Sequence, residues 1–382
     1  MGKKKLIYVS SPYTGAVVEG QVYELLEYYK RMDWFEEVLL LQIYSTETDR
    51  TKAEEILAKF SFRHKFFWQN PYYPHLYRKS IQAQKKALEG EVSENTVFHV
   101  RGGSRALYLR EALPPQYRQL LILDEFRGLS SSEFDYTVGS GVVERIKTFV
   151  KKRHTNRCYS LMHQDKYMLY TAVSPLLREI ESKEDGFDIN RISVHPNIAS
   201  ADFKFNLEKR IEIRKRLGVS EGQILVVTSS GESGAWQKDL DIIGTLTSKG
   251  YIVLNLSQKT IDLPNVISRF VPHKEMPDYL SACDAALLWR DDVPLNNVAC
   301  PSKYGEFAVM GLYVIHNKTV DIVTRFIQDN NCGLLVDSPE DIAIPHNLFN
   351  GQERLRRSKA GYGLFSIEEV ARSYYEILTQ KK

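Results

Sequence analysis

Short apolar runs separated by helical stretches recur almost without a break along this 382-residue chain, and the pattern starts afresh near residue 224. A strand buried on both faces reads as a continuous apolar run, and such strands alternating with helices build a parallel sheet covered on both sides. In the first half, strands are predicted at residues 5–10, 38–44, 64–68, 96–100, 120–123, 170–173 and 192–195. Helices are predicted between them at 22–30, 53–60, 76–88, 105–112 and 142–153. Gly218 stops a helix over 210–217, and strands then follow at 224–228, 251–256, 266–270, 285–289, 313–316 and 333–336. The segment 195–206, with Pro196 and Asn197, is the expected hinge. The fold class is therefore α/β, with two doubly wound domains, 1–198 and 199–365, facing a cleft. An amphipathic helix within 366–382 is expected to pack back on the first domain.

Composition removes several classes of function. With 43% hydrophobic and 26% charged residues the chain is globular, and a net charge of +3 is too small to argue for nucleic acid. The four cysteines are scattered with no CxxC pair, as expected for reduced thiols, and neither they nor the histidines stand at metal-ligand spacing. Asp291-Asp292 lacks a third ligand and reads as a loop, so no metal and no cofactor are expected. The apolar run after Met1-Gly-Lys-Lys-Lys is too short for a signal peptide, and nothing approaches the roughly 18 apolar residues of a membrane span. A cytoplasmic protein is expected. Arg145, Lys147, Lys151, Lys152, Arg153 and Arg157 face only Glu144, which gives either a solvated helix face or a peripheral contact with an anionic membrane at its inner face.

In open parallel sheets ligands bind at the carboxyl ends of the strands, so candidate residues are sought there. Pro301-Ser302-Lys303-Tyr304-Gly305-Glu306 opens a short helix that ends before Gly311. Amides near Ser302 and the Lys303 charge suit phosphate oxygens, and Glu306 can accept from sugar hydroxyls, which together would hold a nucleotide sugar. The plain alternative is an intrahelical Lys303–Glu306 pair. Residues 229–238 form a small-residue loop ending in Lys238, a second cradle for a diphosphate. Val271, in Arg269-Phe-Val-Pro-His273, offers backbone to a nucleobase edge. Gly15 and Gly20, in the loop after the first strand, would admit a ligand close to the backbone, or simply connect strand to helix. His99 and Arg101 close the fourth strand, and Asp124-Glu125-Phe126-Arg127 the fifth. These four, His99, Arg101, Glu125 and Arg127, would orient acceptor hydroxyls or assist proton transfer, unless they form an internal ion pair.

The order of these motifs resembles the family-4 glycosyltransferases of the GT-B type, built of two Rossmann-like domains. Val194-His-Pro-Asn197 looks like their V-x-P-N hinge. Phe270-Val-Pro-His273 with Ala282-Cys-Asp284 is similar to their F-V-P-H and A-A-D segments, and Glu306-Phe-Ala-Val-Met-Gly311 to E-x-x-A-x-G. Glu125-Phe-Arg127-Gly128 resembles the D-x-R-G element of polysaccharide-building members. The sequence departs at Val298, where a second glutamate is usual, and at Ser233, where an arginine is usual. The resemblance implies sugar transfer from a nucleotide diphosphate sugar to a hydroxyl of a glycan or lipid-linked glycan, in cell-surface polysaccharide assembly. It further implies that the first domain takes the acceptor and the second the donor. Two alternatives stay open: a nucleotide-sugar 2-epimerase of the same fold, and a non-catalytic nucleotide- or sugar-binding protein.

Overall fold

The computed structural model describes residues 2–129, 133–136, 141–229, 239–345 and 348–380. They fall into two compact units, Met1–His195 with Ala371–Lys382, and Pro196–Val370. The first holds a seven-stranded parallel sheet of β1 (Lys5–Ser10), β2 (Glu37–Tyr44), β3 (Arg63–Trp68), β4 (Thr96–Val100), β5 (Ile122–Phe126), β6 (Met168–Ala172) and β7 (Ile192–Val194). Its order is β3-β2-β1-β4-β5-β6-β7. The second holds β8 (Leu225–Thr228), β9 (Ile252–Asn255), β10 (Val266–Ser268), β11 (Ala285–Leu288), β12 (Tyr313–His316) and β13 (Gly333–Leu335), in the order β10-β9-β8-β11-β12-β13. Each order reverses direction once, between β1 and β4 and between β8 and β11. In doubly wound sheets, connections diverge at such a point and leave a crevice at the strand ends.

β1, β4 and β12 run as their apolar patterns predict. β5 does not: it was expected to stop at residue 123, yet it continues through Asp124 and Glu125 to Phe126. Two adjacent carboxylates argue for a strand end, but both are accommodated inside the sheet. Consecutive strand residues point to opposite faces. On one face Glu125 meets a set of donors; on the other, burial raises the Asp124 carboxyl well above its usual value. The first loop is also shorter than expected. A helix starts at Ala16, directly after Gly15, and Gly20 lies within a π turn, Glu19–Tyr23. Gly20 therefore gives no close approach of loop backbone to a ligand. Gly15 has φ 88°, a conformation that disfavours side chains, so the tight turn alone accounts for its glycine.

The C-terminal helix, Ile367–Thr379, returns to the first unit over its residues from Ala371 onward. There Tyr374 stacks on His195 with ring centroids 4.4 Å apart, and Tyr375 packs on Trp34 at 5.0 Å. In the second unit Val226, Ile243, Leu246, Val253, Ala285 and Ile315 form the centre of the core beside the sheet. A polar knot lies below it. Arg210 Nη2 and Arg214 Nη1 approach the two oxygens of Asp284 at 2.7 and 3.1 Å, and each donates to the Ala282 carbonyl. A buried guanidinium is tolerated where its charge is paired in this way. Among the described residues, no helix is long and apolar enough to cross a membrane.

Candidate functional site

In the second unit the helix Ser302–Val309 begins beyond the carboxyl end of β11. Its position follows from a close backbone contact and a glycine turn. A Cβ on Gly361 would sit 2.3 Å from the Ala308 backbone, so the helix Gly351–Phe365 lies directly against it. Gly311, at φ 66°, then turns the chain into β12. Asn197 fixes the segment before the helix, its amide side chain donating to the Cys300 carbonyl and its backbone N–H lying 3.3 Å from Cys300 Sγ. Asn197 of the Val-His-Pro-Asn motif thus clamps the start of the Ser302 helix.

Lys303 reaches from that helix to the Ser229 carbonyl, the first residue after β8, and donates to it. β8 and β11 are the two strands that flank the reversal in this sheet, so Lys303 bridges the crevice. Glu306, one turn further on, has Oε1 3.1 Å from Nε2 of the half-exposed His273, which follows β10. The intrahelical Lys303–Glu306 pair considered from the sequence is not what these atoms do; each points to a different neighbouring loop. Three connections of the sheet are thereby tied together by one cation and one carboxylate. A carboxylate has about four acceptor positions, so Glu306 keeps capacity for a ligand beside His273. Val271 is buried, while Phe270 beside it is 66% exposed. Lys238, with residues 230–237, lies outside the described residues. Val298, eight positions before Glu306, is buried in the apolar interior and brings no second carboxylate to this crevice.

In the first unit the four remaining candidates come together. Register places Tyr8 opposite His99, His99 opposite Leu123, and Glu125 opposite Thr171, so their side chains share one face of the sheet. Glu125 is 2% exposed. Its Oε1 accepts from Tyr8 Oη at 2.7 Å and lies 2.9 Å from His99 Nε2. Its Oε2 is 3.1 Å from Arg127 Nη1 and 3.4 Å from Arg101 Nη1. Burial alone would raise the carboxyl, but the close His99 imidazole and the charges of Arg127 and Arg101 outweigh it and hold it well below the usual range. Such a carboxylate is a poor proton acceptor at neutral pH and a firm anchor for two guanidinium groups. Tyr374 closes the cluster, its ring 4.6 Å from that of His99. Burial likewise lowers His195, on the other side of Tyr374, to about 4, so it is neutral and fixed between Ser193 and Ser373.

The partners of these candidates escaped the sequence reading. Tyr8 sits in an apolar strand, where nothing local marks it as a partner of Glu125. Ser229 is separated from Lys303 by 74 positions. His273 was visible in its motif, but its pairing with Glu306 was not. Among the described residues, no three His, Cys, Asp or Glu side chains group at metal-binding range.

No protein-family model matches the sequence, and no curated protein matches it either. Solved structures do. A glycosyltransferase from Rickettsia africae ESF-5 superposes with a TM-score of 0.68 at 13% identity, covering 99% of this chain and 100% of that one. Anabaena Alr3699/HepE, solved in complex with UDP and glucose, gives 0.66 at 14% identity, again over 99% and 100%. The N-terminal domain of a Candida albicans trehalose-6-phosphate phosphatase gives 0.60 at 10% identity, over 98% and 96%. At these identities the likeness is one of fold. The chain has the GT-B architecture, two Rossmann-like parallel sheets with helices on their faces, along its whole length.

Proposed function

We propose that this chain is a glycosyltransferase, of the family-4 type, that uses a nucleotide diphosphate sugar as donor. The observation that carries the reading is the bridge across the β8–β11 crevice, where Lys303 meets the Ser229 carbonyl and Glu306 faces His273. A diphosphate seated there would meet the Lys303 ammonium and the first amides of the Ser302 helix, while Glu306 accepts from the ribose hydroxyls. The solved complexes of HepE with UDP and with UDP-glucose, on the same fold, support a uridine nucleotide as the first donor to try.

In the transfer step the acceptor hydroxyl oxygen forms a bond to the anomeric carbon and passes its proton to the departing diphosphate. The bond from that carbon to the diphosphate breaks, its electron pair leaving with the phosphate oxygen. Negative charge therefore grows on the diphosphate, and Lys303 is the group that would meet it, with Lys238 as a second cation. No metal is assigned a part. Arg101 and Arg127, held by Glu125, would orient the acceptor, a glycan or lipid-linked glycan of cell-surface polysaccharide assembly. A hexose is the sugar proposed.

Buried Val298 favours one second reading. With no carboxylate at that position, a protein that binds the nucleotide sugar without transferring it is a coherent alternative. Incubation with UDP-, GDP- and ADP-hexoses, with and without oligosaccharide acceptors, separates the two. Release of nucleoside diphosphate that rises with acceptor supports transfer; saturable binding with no release supports the binding protein. Conversion of UDP-GlcNAc to UDP-ManNAc without acceptor would make it the epimerase.

A further inference from the structure

The helix Val142–Met162 carries a surface that sugar transfer does not use. Its buried residues, His154, Thr155, Cys158, Tyr159 and Met162, all belong to its second half. The first two turns instead expose four large apolar side chains: Val142 at 74%, Val143 at 64%, Ile146 at 59% and Phe149 at 63%. Val142, Ile146, Phe149 and Arg153 recur at three- and four-residue intervals, so they form one stripe along the helix. Arg145, Arg153 and Arg157 are exposed along the same stripe. Lys147 is paired with Glu144, the only carboxylate of the helix, at 2.9 Å. Lys151 belongs to the fold, lying against the rings of Tyr73, Phe134 and Tyr72.

A purely solvated face accounts for the arginines but not for the apolar stripe between them. Contiguous apolar area in water is unfavourable and marks a contact surface. The charge decides what covers it. A second copy of the chain would set the three exposed arginines against three of the same sign, and the lone Glu144, already paired with Lys147, could not compensate. A bilayer with anionic headgroups offers both an apolar boundary for the stripe and negative charge for its flanks.

We propose that the first turns of this helix dock on an anionic lipid surface. Val142, Ile146 and Phe149 enter the boundary between headgroups and acyl chains, and Arg145, Arg153 and Arg157 meet lipid phosphates. This goes beyond the transferase reading and does not rest on it, because docking needs no nucleotide sugar.

Sedimentation with vesicles tests it on the full chain. Vesicles of phosphatidylcholine with phosphatidylglycerol should carry the protein down at low salt, and phosphatidylcholine alone should carry far less. The pair Arg145→Gln with Arg153→Gln should weaken binding about 30-fold, from the affinity each surface cation adds. Ile146→Ser with Phe149→Ser should weaken it at least about tenfold, from the apolar area withdrawn. These side chains are exposed, so unchanged thermal unfolding of each variant shows that the fold is intact. No binding to the anionic vesicles, equal binding to the neutral ones, or parental binding by both double variants would overturn the proposal. So would a dimer that Ile146→Ser with Phe149→Ser dissociates, since that would identify a second copy as the occupant.

Discussion

Replacing Lys303 by alanine is expected to lower kcat for sugar transfer by roughly 10²-fold or more, the usual cost of removing one preorganised charge stabiliser. Lys303 bridges the reversal of the second sheet, from the helix beyond β11 to the carbonyl after β8, which is where a leaving diphosphate would sit. Charge on that diphosphate increases as the sugar bond breaks, so the interaction is stronger in the transition state than in the bound donor. The loss should therefore fall on kcat more than on donor KM. Steady-state kinetics at saturating donor and acceptor reads it directly. A variant that keeps near-parental kcat while unfolding at the same temperature removes Lys303 from the chemistry.

Glu125→Gln should destabilise the protein by about 3–5 kcal/mol, because it leaves Arg101, Arg127 and His99 gathered around a neutral amide in a dry interior. The carboxylate is 2% exposed and contacts Tyr8, His99, Arg101 and Arg127. Its folded value lies below its ordinary value of 4.5, so its stabilisation is complete above that pH and is lost only as pH falls through the lower, folded value. The gap between parent and variant in urea unfolding should thus stay level from neutral pH down to about 4.5 and narrow below it. A variant within 1 kcal/mol of the parent at pH 7 would show that this network does not hold the first unit together.

The parts of this fold that could be read from the sequence share one property. β1, β4 and β12 are apolar runs bounded by polar residues, and burial on both faces of a parallel sheet requires nothing else of them. The misreadings arose where long-range partners override local character. β5 runs past its expected end at residue 123 because Glu125 finds its partners on β1, on β4 and at the strand ends. The basic helix was ended at residue 153, but runs to Met162 because His154, Thr155, Cys158 and Tyr159 supply a buried face of mixed polarity. Arg210 and Arg214 lie on a helix dense in charge, and nothing local marks them for burial, yet both are buried against Asp284 some 70 positions away. The candidate site shows the same division. Lys303 and Glu306 stood out through their spacing and their place before an apolar strand, whereas the acts of bridging to Ser229 and His273 depend on how connections converge at the sheet's carboxyl edge.

The central claim is that the second unit holds a nucleoside diphosphate at the β8–β11 crevice, and thermal unfolding in the presence of UDP, GDP, ADP, CMP and TDP tests it most directly. One nucleotide, at 100 times its Kd, should stabilise the parent by about 2.7 kcal/mol. Lys303→Ala and Glu306→Gln should each need a higher concentration for the same shift, while Arg127→Ala should respond as the parent does. Stabilisation by none of the five, or an unchanged response in both Lys303→Ala and Glu306→Gln, would contradict the claim.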